Sequence, residues 1–166
     1  SVTFKDLTIG GNFLKSALPA KAVMITFDDG YLNQYKLAYP IMRRWGQVGV
    51  FYVVANAIGR DNFWHDPALE PRIPMMNLDQ MKEMGRSGME IGSHTMNHRR
   101  LLSIPRDEAY GEIRESKKRL EELLGEPMVS FAHSYGNGED DEGLYQACRD
   151  AGYRWAAGIH AGIWDP

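Results

Sequence analysis

The feature that most constrains the fold is a regular alternation of short apolar runs with helical segments, from residue 23 onward. The five apolar runs have the length and β-rich composition of strands. They are VMITF (23–27), VGVFYVV (48–54), MEIGSHT (89–95), MVSFAHS (128–134) and RWAAGI (154–159). Because strands that alternate with helices form parallel sheets through right-handed crossovers, the pattern predicts an α/β fold, either an open doubly wound sheet or a barrel.

Four segments between and after these runs are predicted to be helices: 33–46, 77–88, 106–127 and 141–153. The first is expected to kink at Pro40 and to end at Gly46. The second opens with Asn77 and Gln80 at the spacing of a capping box. Five strand–helix units are too few for a complete eight-unit barrel, and the chain stops just after a strand. We therefore expect further C-terminal elements to be missing.

Composition limits the class of protein and its partners. The length and the 43% hydrophobic content suit a single domain, residues 1–166, with one core. No apolar run approaches the roughly 18 residues that a membrane span needs. The net charge of −3 comes without a basic stripe, which argues against nucleic acid as a partner. Cys148 is the only cysteine, so an internal disulfide is excluded, and we expect it to pack within a helix.

Two adjacent carboxylates, Asp28 and Asp29, follow the first strand and precede Gly30. Neighbouring negative charges raise each other's pKa, so a cation would stabilise the pair. The alternative is a polar turn, because Asp and Gly are favoured there. Since active sites of parallel α/β folds form at the ends of strands, a functional role stays open.

Two histidines, His94 and His98, follow the third strand four residues apart. On a helix or helical turn this spacing puts both imidazoles on one face, able to share a metal. The alternative is a pair of histidines on a solvated turn. With a carboxylate from another strand end they would form a metal site with positions left for water and substrate. Non-haem iron oxygenases use the same ligand set, but on β-rich folds that do not match this alternation.

A third candidate, Tyr135 with Gly136, follows the fourth strand. The loop could present a backbone N–H and a phenol edge to a substrate, or it could be a turn with a packed tyrosine.

Three stretches in this order, TFDDG (26–30), HTMNH (94–98) and FAHSYG (131–136), resemble the first three motifs of the polysaccharide deacetylase family. These carbohydrate esterases share the chitooligosaccharide deacetylase (NodB) homology domain. The similarity covers residues 20 to about 160. It implies a distorted, incomplete (β/α)7 barrel and a hydrolase that removes N-acetyl groups from an N-acetylglucosamine-containing polysaccharide or oligosaccharide.

The resemblance also implies roles for the candidate residues. Asp29, His94 and His98 would bind a divalent metal, most often zinc and in some relatives cobalt or nickel. Asp28 would stay off the metal as the general base, and the backbone N–H of Tyr135 would stabilise the oxyanion. The expected partner is an acetylated glycan, and the expected location is extracellular, periplasmic or at the cell envelope.

Further substrate contacts are expected from Gly136 and from Trp64. Trp64 follows Phe63 in the loop 56–74, which is long enough to be either functional or disordered. Single aromatic residues such as Phe63, Trp155 and Trp164 are more often packed than ligand-binding. Arg99 and Arg100 favour a solvated helix start over contact with an anionic polymer.

The third motif departs from the family pattern. The family commonly has Arg-x-Pro-Tyr where this chain has Ala132, His133, Ser134 and Tyr135. The arginine that would contact the catalytic aspartate is absent. His133 is a possible substitute, although strand alternation points it to the face opposite Ala132.

The histidine of the family's last motif, a general acid, is not found either. His160 is expected to be a loop histidine. Two rivals therefore remain beside the N-deacetylase: an O-deacetylase, for example on acetylxylan, and a catalytically impaired carbohydrate-binding protein.

Overall fold

The computed structural model describes residues 1–9, 12–13 and 21–160, and its strands fall into two sheets. A short antiparallel pair comes first: β1 (Thr8–Ile9) and β2 (Asn12–Phe13). The main sheet has five parallel strands: β3 (Thr26–Phe27), β4 (Val50–Val53), β5 (Glu90–Ser93), β6 (Ser130–Ala132) and β7 (Trp155–Ala157).

The strands of the main sheet lie side by side in chain order, β3-β4-β5-β6-β7. A doubly wound sheet reverses its strand order at a switch point, whereas a barrel adds each strand on the same side of the last. The five strands curl into a half-barrel. The incomplete (β/α) barrel predicted above is therefore confirmed, with five of its strands in the described part of the chain.

All four predicted helices are present: α1 (Tyr39–Arg44), α2 (Leu78–Arg86), α3 (Arg106–Leu124) and α4 (Glu142–Asp150). Asn77 and Gln80 form the expected capping box of α2. Where a kink at Pro40 was predicted, a π-helical segment, Gln34–Ala38, runs into α1 and Pro40 occupies the first turn. Proline lacks the N–H that would continue a regular helix, so the irregularity falls just before it.

The sheet buries both faces, as continuous apolar strands predict. Phe51, Ile91 and Phe131 pack against the helices, together with buried methionines and Cys148. Val50, Tyr52 and Ala132 face the inside of the half-barrel. Five methionines are at most 4% exposed: Met75, Met76, Met81, Met84 and Met89. Their flexible side chains are suited to filling gaps in a core.

The N-terminal segment, residues 1–9, crosses the inner face of the sheet, which sequence patterns did not predict. Val2 pairs with Met24, and Thr8 accepts a hydrogen bond from the indole N–H of Trp155 at 2.9 Å. The buried carboxylate of Glu90 accepts the backbone N–H of Lys5 at 2.8 Å. These contacts connect the first, third and fifth strands of the main sheet. Within the part of the chain that the structure describes, every helix is too short or too polar to span a bilayer.

Candidate metal centre

A tight turn directly after β3 places the two carboxylates at the C-terminal edge of the sheet. The C=O of Asp28 accepts the N–H of Gly30 at 3.0 Å, and both Asp29 (φ 73°) and Gly30 (φ 86°) have left-handed backbone. A Cβ at Gly30 would lie 2.9 Å from a methyl group of Val53, so only glycine fits here. The turn leaves Asp29 half-buried over the sheet and Asp28 exposed to solvent.

The two histidines come from the loop after β5, which is not helical. The N–H of His94 bonds to the C=O of Val53 at 2.9 Å, extending the β4–β5 ladder by one residue. Thr95 (φ 68°) and His98 (φ 59°) then turn the chain back, and the hydroxyl of Thr95 accepts the N–H of His98 at 2.9 Å. The prediction that the two histidines lie on a helical turn is therefore wrong. The irregular loop brings them together instead, with their ring centroids 4.9 Å apart.

Asp29, His94 and His98 meet at one point. Oδ1 of Asp29 lies 3.0 Å from Nε2 of His98 and 3.3 Å from Nε2 of His94. Nδ1 of His94 lies 2.9 Å from the C=O of Ala132, which fixes the ring with Nε2 toward Asp29. Nδ1 of His98 is buried and has no hydrogen-bond partner among the described residues.

The electrostatics of the cluster suit metal ligands. Burial alone raises the pKa of Asp29, but hydrogen bonds from His94 and His98 outweigh it and hold the pKa well below its usual range. Burial lowers the pKa of His98, against the opposing effect of Asp29. An ionised carboxylate and a neutral imidazole are the forms that bind a metal.

The spacing of the three donor atoms also fits a metal. Each lies within 4.8 Å of the others. In a tetrahedral zinc site with bonds of roughly 2.0–2.1 Å, ligand atoms lie about 3.3 Å apart. Two imidazoles and one carboxylate satisfy three positions of such a site, and the ring of His94 makes the backbone contact that metal-bound histidines commonly make.

Backbone strain concentrates at this edge of the sheet. Among the described residues, four that are not glycine have positive φ: Asp29, Thr95, His98 and Tyr135. All four belong to the loops after β3, β5 and β6. Such conformations cost roughly 1–3 kcal/mol each and are retained where they position functional groups. For the β-branched Thr95 the left-handed conformation is especially unfavourable.

Tyr135 projects beside the histidines from the loop after β6. Its φ is 60°, its ring centroid lies 4.5 Å from that of His98, and its side chain is 39% exposed. The hydrogen bonds of this turn come from the N–H groups of Gly136 and Asn137, not from that of Tyr135. Gly136 packs so closely under Ile159 that a Cβ would lie 2.4 Å from it. Close packing against Ile159 therefore explains why residue 136 is a glycine.

The long loop 56–74 folds against the site and closes one side of it. Its fold depends on the buried amide of Asn62, whose Oδ1 accepts the N–H of Ile73 at 2.7 Å and whose Nδ2 donates to Pro71 at 3.3 Å. The loop carries the Trp64 ring to 4.5 Å from His98. The loop is thus folded next to the candidate site, and its functional role stays a prediction.

A cleft of about 610 Å³ opens beside the three donor atoms. It is lined by aromatic, amide and cationic side chains: Phe63, Trp64, Asn97, His98, Arg99, Arg100 and Tyr135. Aromatic faces next to polar groups suit a sugar ring, which presents C–H groups on its faces and hydroxyls at its edge.

Comparison with known proteins decides the family. The family model for polysaccharide deacetylase matches residues 15–156, most of the chain. The chain belongs to the polysaccharide deacetylase family. Its three loop motifs are those on which the resemblance rested.

The chain is also similar in sequence to individual deacetylases. The chain is 29% identical over 134 residues to YxkH of Bacillus subtilis (strain 168), named as a polysaccharide deacetylase, with 81% of this chain and 43% of YxkH covered. It is 24% identical over 137 residues to the poly-β-1,6-N-acetyl-D-glucosamine N-deacetylase of Staphylococcus aureus (strain N315), covering 77% and 45%. The chain thus spans less than half the length of these relatives.

Solved structures show the same fold. IcaB from Ammonifex degensii superposes with a TM-score of 0.71 at 28% identity, covering 82% of this chain and 59% of IcaB. The Streptococcus pyogenes deacetylase PplD, solved with acetate, gives a TM-score of 0.70 at 27% identity, covering 84% and 57%.

The residues that depart from the family pattern lie away from the metal centre or make other contacts. Ala132 faces the inside of the half-barrel, whereas the His133 ring packs edge-on against Phe131 on the helix side, at 5.1 Å. His133 therefore does not take the place of the missing arginine. His160 is exposed and pairs with Glu139 at 2.8 Å. Trp155 packs on Phe4 at 5.3 Å, and Trp164 lies outside the described residues.

Sequence reasoning missed the residue that supports the histidine loop. Asn97 lies between the two histidines, and the carboxylate of Glu112 on α3 accepts both its backbone N–H (2.7 Å) and its side-chain N–H (2.6 Å). The side-chain oxygen of Asn97 accepts a further hydrogen bond from Asn56 at 2.7 Å. A signal existed, because Glu112 is a carboxylate next to Ile113 on the apolar face of α3.

Proposed function

We propose that this chain is a metal-dependent deacetylase that removes N-acetyl groups from a glycan containing N-acetylglucosamine. The observation that carries the proposal is the convergence of Asp29, His94 and His98 within hydrogen-bonding distance, from loops more than sixty residues apart. Membership of the deacetylase family and the N-deacetylase named among the relatives support the reaction class.

Asp29, His94 and His98 are the residues that would hold the ion. A divalent ion there, zinc by preference and cobalt or nickel as alternatives, supplies Lewis-acid activation of water and of the acetyl carbonyl. His94 is held in position by Ala132, and the low pKa of Asp29 keeps its carboxylate charged. Asp29 is therefore already charged, and His94 already oriented, before an ion binds.

Asp28 and Tyr135 have the remaining assigned roles. Asp28 lies next to Asp29 with its side chain in solvent, so its carboxylate is free to take the proton from the attacking water. The backbone N–H of Tyr135 would donate to the carbonyl oxygen as negative charge develops there. Trp64, against His98, would exclude water from one side and stack on the sugar, while Gly136 lets the Tyr135 turn pass under Ile159.

Acetate release from chitin oligomers and from acetylated xylan tests the proposal and separates N- from O-deacetylation. We expect zinc-loaded protein to release acetate from the N-acetylated substrate, and Asp28→Asn to lower kcat by about 10²–10⁴-fold, the usual contribution of a general base. The control is Asp140→Asn, an exposed carboxylate outside the cleft. Equal turnover by Asp28→Asn and the parent protein would reject the assigned mechanism.

The main rival is a carbohydrate-binding protein on the same scaffold. Ala132 at the position of the family's arginine is the observation in its favour. Glycan binding by the parent protein without acetate release from either substrate would support that rival. We also predict that the protein acts outside the cytoplasm, because polymeric glycans are found there.

A further inference from the structure

Arg99 and Arg100 lie in the cleft beside the metal centre. Their sequence pattern favoured a solvated helix start, and a 3₁₀ turn, Leu101–Ser103, does follow them. Both side chains are exposed, but both also line the cleft together with His98 and Tyr135. Neither forms an ion pair with any residue in the described part of the chain. Two guanidinium groups in an active-site cleft are thus without a carboxylate partner.

The Tyr135 ring orients the guanidinium group of Arg100. Its guanidinium carbon lies 4.0 Å from the centroid of the Tyr135 ring, a close cation–π contact. Stacking uses the flat face of the guanidinium and leaves its N–H donors in the plane, where they match the oxygens of a carboxylate or phosphate. Because the side chain is already ordered, binding an anion costs less conformational entropy than it would with a free arginine.

The charge around the cleft favours an anion. Its lining contains two arginines and no carboxylate. The two carboxylates that act on Tyr135 lie outside this lining: Asp29 would be a ligand of the proposed metal ion, whose charge would offset its own, and Glu70 contacts His65. In a chain with a net charge of −3, this is a local positive region next to the reaction centre.

We propose that the cleft selects glycans with an anionic group, a carboxylate or a phosphate, on the N-acetylated sugar or on its immediate neighbour. The proposal rests on the deacetylase function proposed above and names the substrate class of that same site. The distances support it: Arg100 is stacked 4.0 Å from Tyr135, and Tyr135 lies 4.5 Å from His98. A disaccharide is long enough to reach from the metal centre to the guanidinium.

Matched substrates test the proposal. The neutral substrate is a chitin oligomer. One anionic substrate is an oligomer of alternating N-acetylglucosamine and N-acetylmuramic acid, which carries carboxylates, and the other is a chitin oligomer bearing phosphate groups. The selectivity ratio is kcat/KM for acetate release from an anionic substrate divided by that from the neutral one. We expect a ratio of about 10 or more at low salt, falling as salt screens the exposed charges.

Arginine variants assign the selectivity to the cleft. The double variant Arg99→Gln/Arg100→Gln should bring the ratio close to 1, and Arg99→Lys/Arg100→Lys should restore it only in part, because lysine lacks the planar donors. The control is Arg114→Gln, an exposed arginine on α3 outside the cleft. A parent ratio at or below 1, or a ratio that survives the double glutamine variant, would overturn the proposal. The anionic substrate with the larger ratio identifies the group recognised.

A binding measurement separates this proposal from the proposed function. Calorimetry gives the Kd of the same three oligomers for the Asp28→Asn protein, with and without the two arginine substitutions. If no substrate releases acetate, the proposed function fails, and the Kd values alone decide the anion site. Tighter binding of an anionic oligomer that is lost with the arginines supports the site. Equal binding of all three oligomers rejects it.

Discussion

At the scale of single residues, Asp29 and Gly30 link the fold to the chemistry. The left-handed turn that they form directs the carboxylate of Asp29 toward His94 and His98. It leaves the neighbouring carboxylate, that of Asp28, in solvent. The strained conformation of Asp29 is compensated by its hydrogen bonds to His94 and His98, which also keep it ionised.

Gly30→Ala tests how tightly this turn is constrained. Its Cβ would sit 2.9 Å from Val53 in a residue with φ of 86°, so both sterics and backbone oppose it. We expect the free energy of unfolding to fall by about 1–3 kcal/mol, measured by urea denaturation. Gly46→Ala is the matched control, since its φ is also positive at 59° but no atom lies within 4 Å of the added Cβ. Equal losses in the two variants would show that packing against Val53 is unimportant.

At the scale of elements, α3 supports the histidine loop from behind. Glu112 makes two hydrogen bonds to Asn97, so the helix determines where the loop between His94 and His98 lies. We expect Glu112→Gln, which keeps only one acceptor oxygen, to weaken zinc binding by about 10-fold or more, the usual effect of losing a group that orients a metal ligand. Competition with a chelating dye measures the affinity. Glu115→Gln, on the exposed side of α3, should leave it unchanged. Parallel behaviour of the two variants would remove Glu112 from the site.

The start of α4 gives a pH-dependent test. Asp141 accepts the N–H of Leu144 and forms a two-pronged ion pair with Arg106. The hydrogen bond from Arg106 and that from Leu144 lower the pKa of Asp141 to about 2. A depressed carboxyl pKa contributes stability above the unfolded pKa, near 4, and this is lost as pH falls toward 2.

We therefore expect the parent protein to have a higher Tm than Asp141→Asn at pH 6, and the difference to shrink between about pH 4 and pH 2. Asparagine keeps the helix cap, so the difference reports the charge. A difference that is constant over this range would contradict the assignment.

At the scale of the whole molecule, the N-terminal segment crosses the inner face of the half-barrel and bonds to its first, third and fifth strands. Glu90 has no exposed surface, and its carboxylate accepts the N–H of Lys5 and the hydroxyl of Ser130, the latter at 2.5 Å. Glu90→Ala would remove the acceptor of the buried Ser130 hydroxyl and of the partly buried Lys5 N–H. We expect a loss of about 1–3 kcal/mol in the free energy of unfolding and faster hydrogen exchange at Lys5.

The matched control is Glu126→Ala, because Glu126 pairs with the same lysine at the surface, 2.9 Å from its Nζ. Such a pair contributes about 1 kcal/mol at most. Unchanged exchange at Lys5 in Glu90→Ala would show that the segment is held by other contacts.

Much of this molecule could be predicted from local sequence patterns, and the failures have physical reasons. The strand–helix alternation and the capping box of Asn77 are local signals, so they predicted β3 to β7 and the start of α2. The geometry of the His94 loop could not be predicted, because Thr95 adopts a backbone that its own propensity opposes and that tertiary contacts impose. The hydrogen bonds of Glu112 and Glu90 join residues distant in sequence, which no local pattern reports.

Zinc binding by single-site variants tests the shared metal centre most directly. Titration of metal-free protein with zinc, followed by calorimetry, should give one tight site in the parent protein and an affinity lower by about 100-fold or more in His98→Ala, because losing a ligand costs at least as much as losing a group that supports one. His160→Ala is the control, since His160 lies with Glu139 and Asp140 in a second, more exposed group of three side chains in the described residues that is close enough together to hold an ion. It should bind zinc like the parent protein. Undiminished binding by His98→Ala, or loss of the tight site in His160→Ala, would contradict the assignment of Asp29, His94 and His98 to one metal ion.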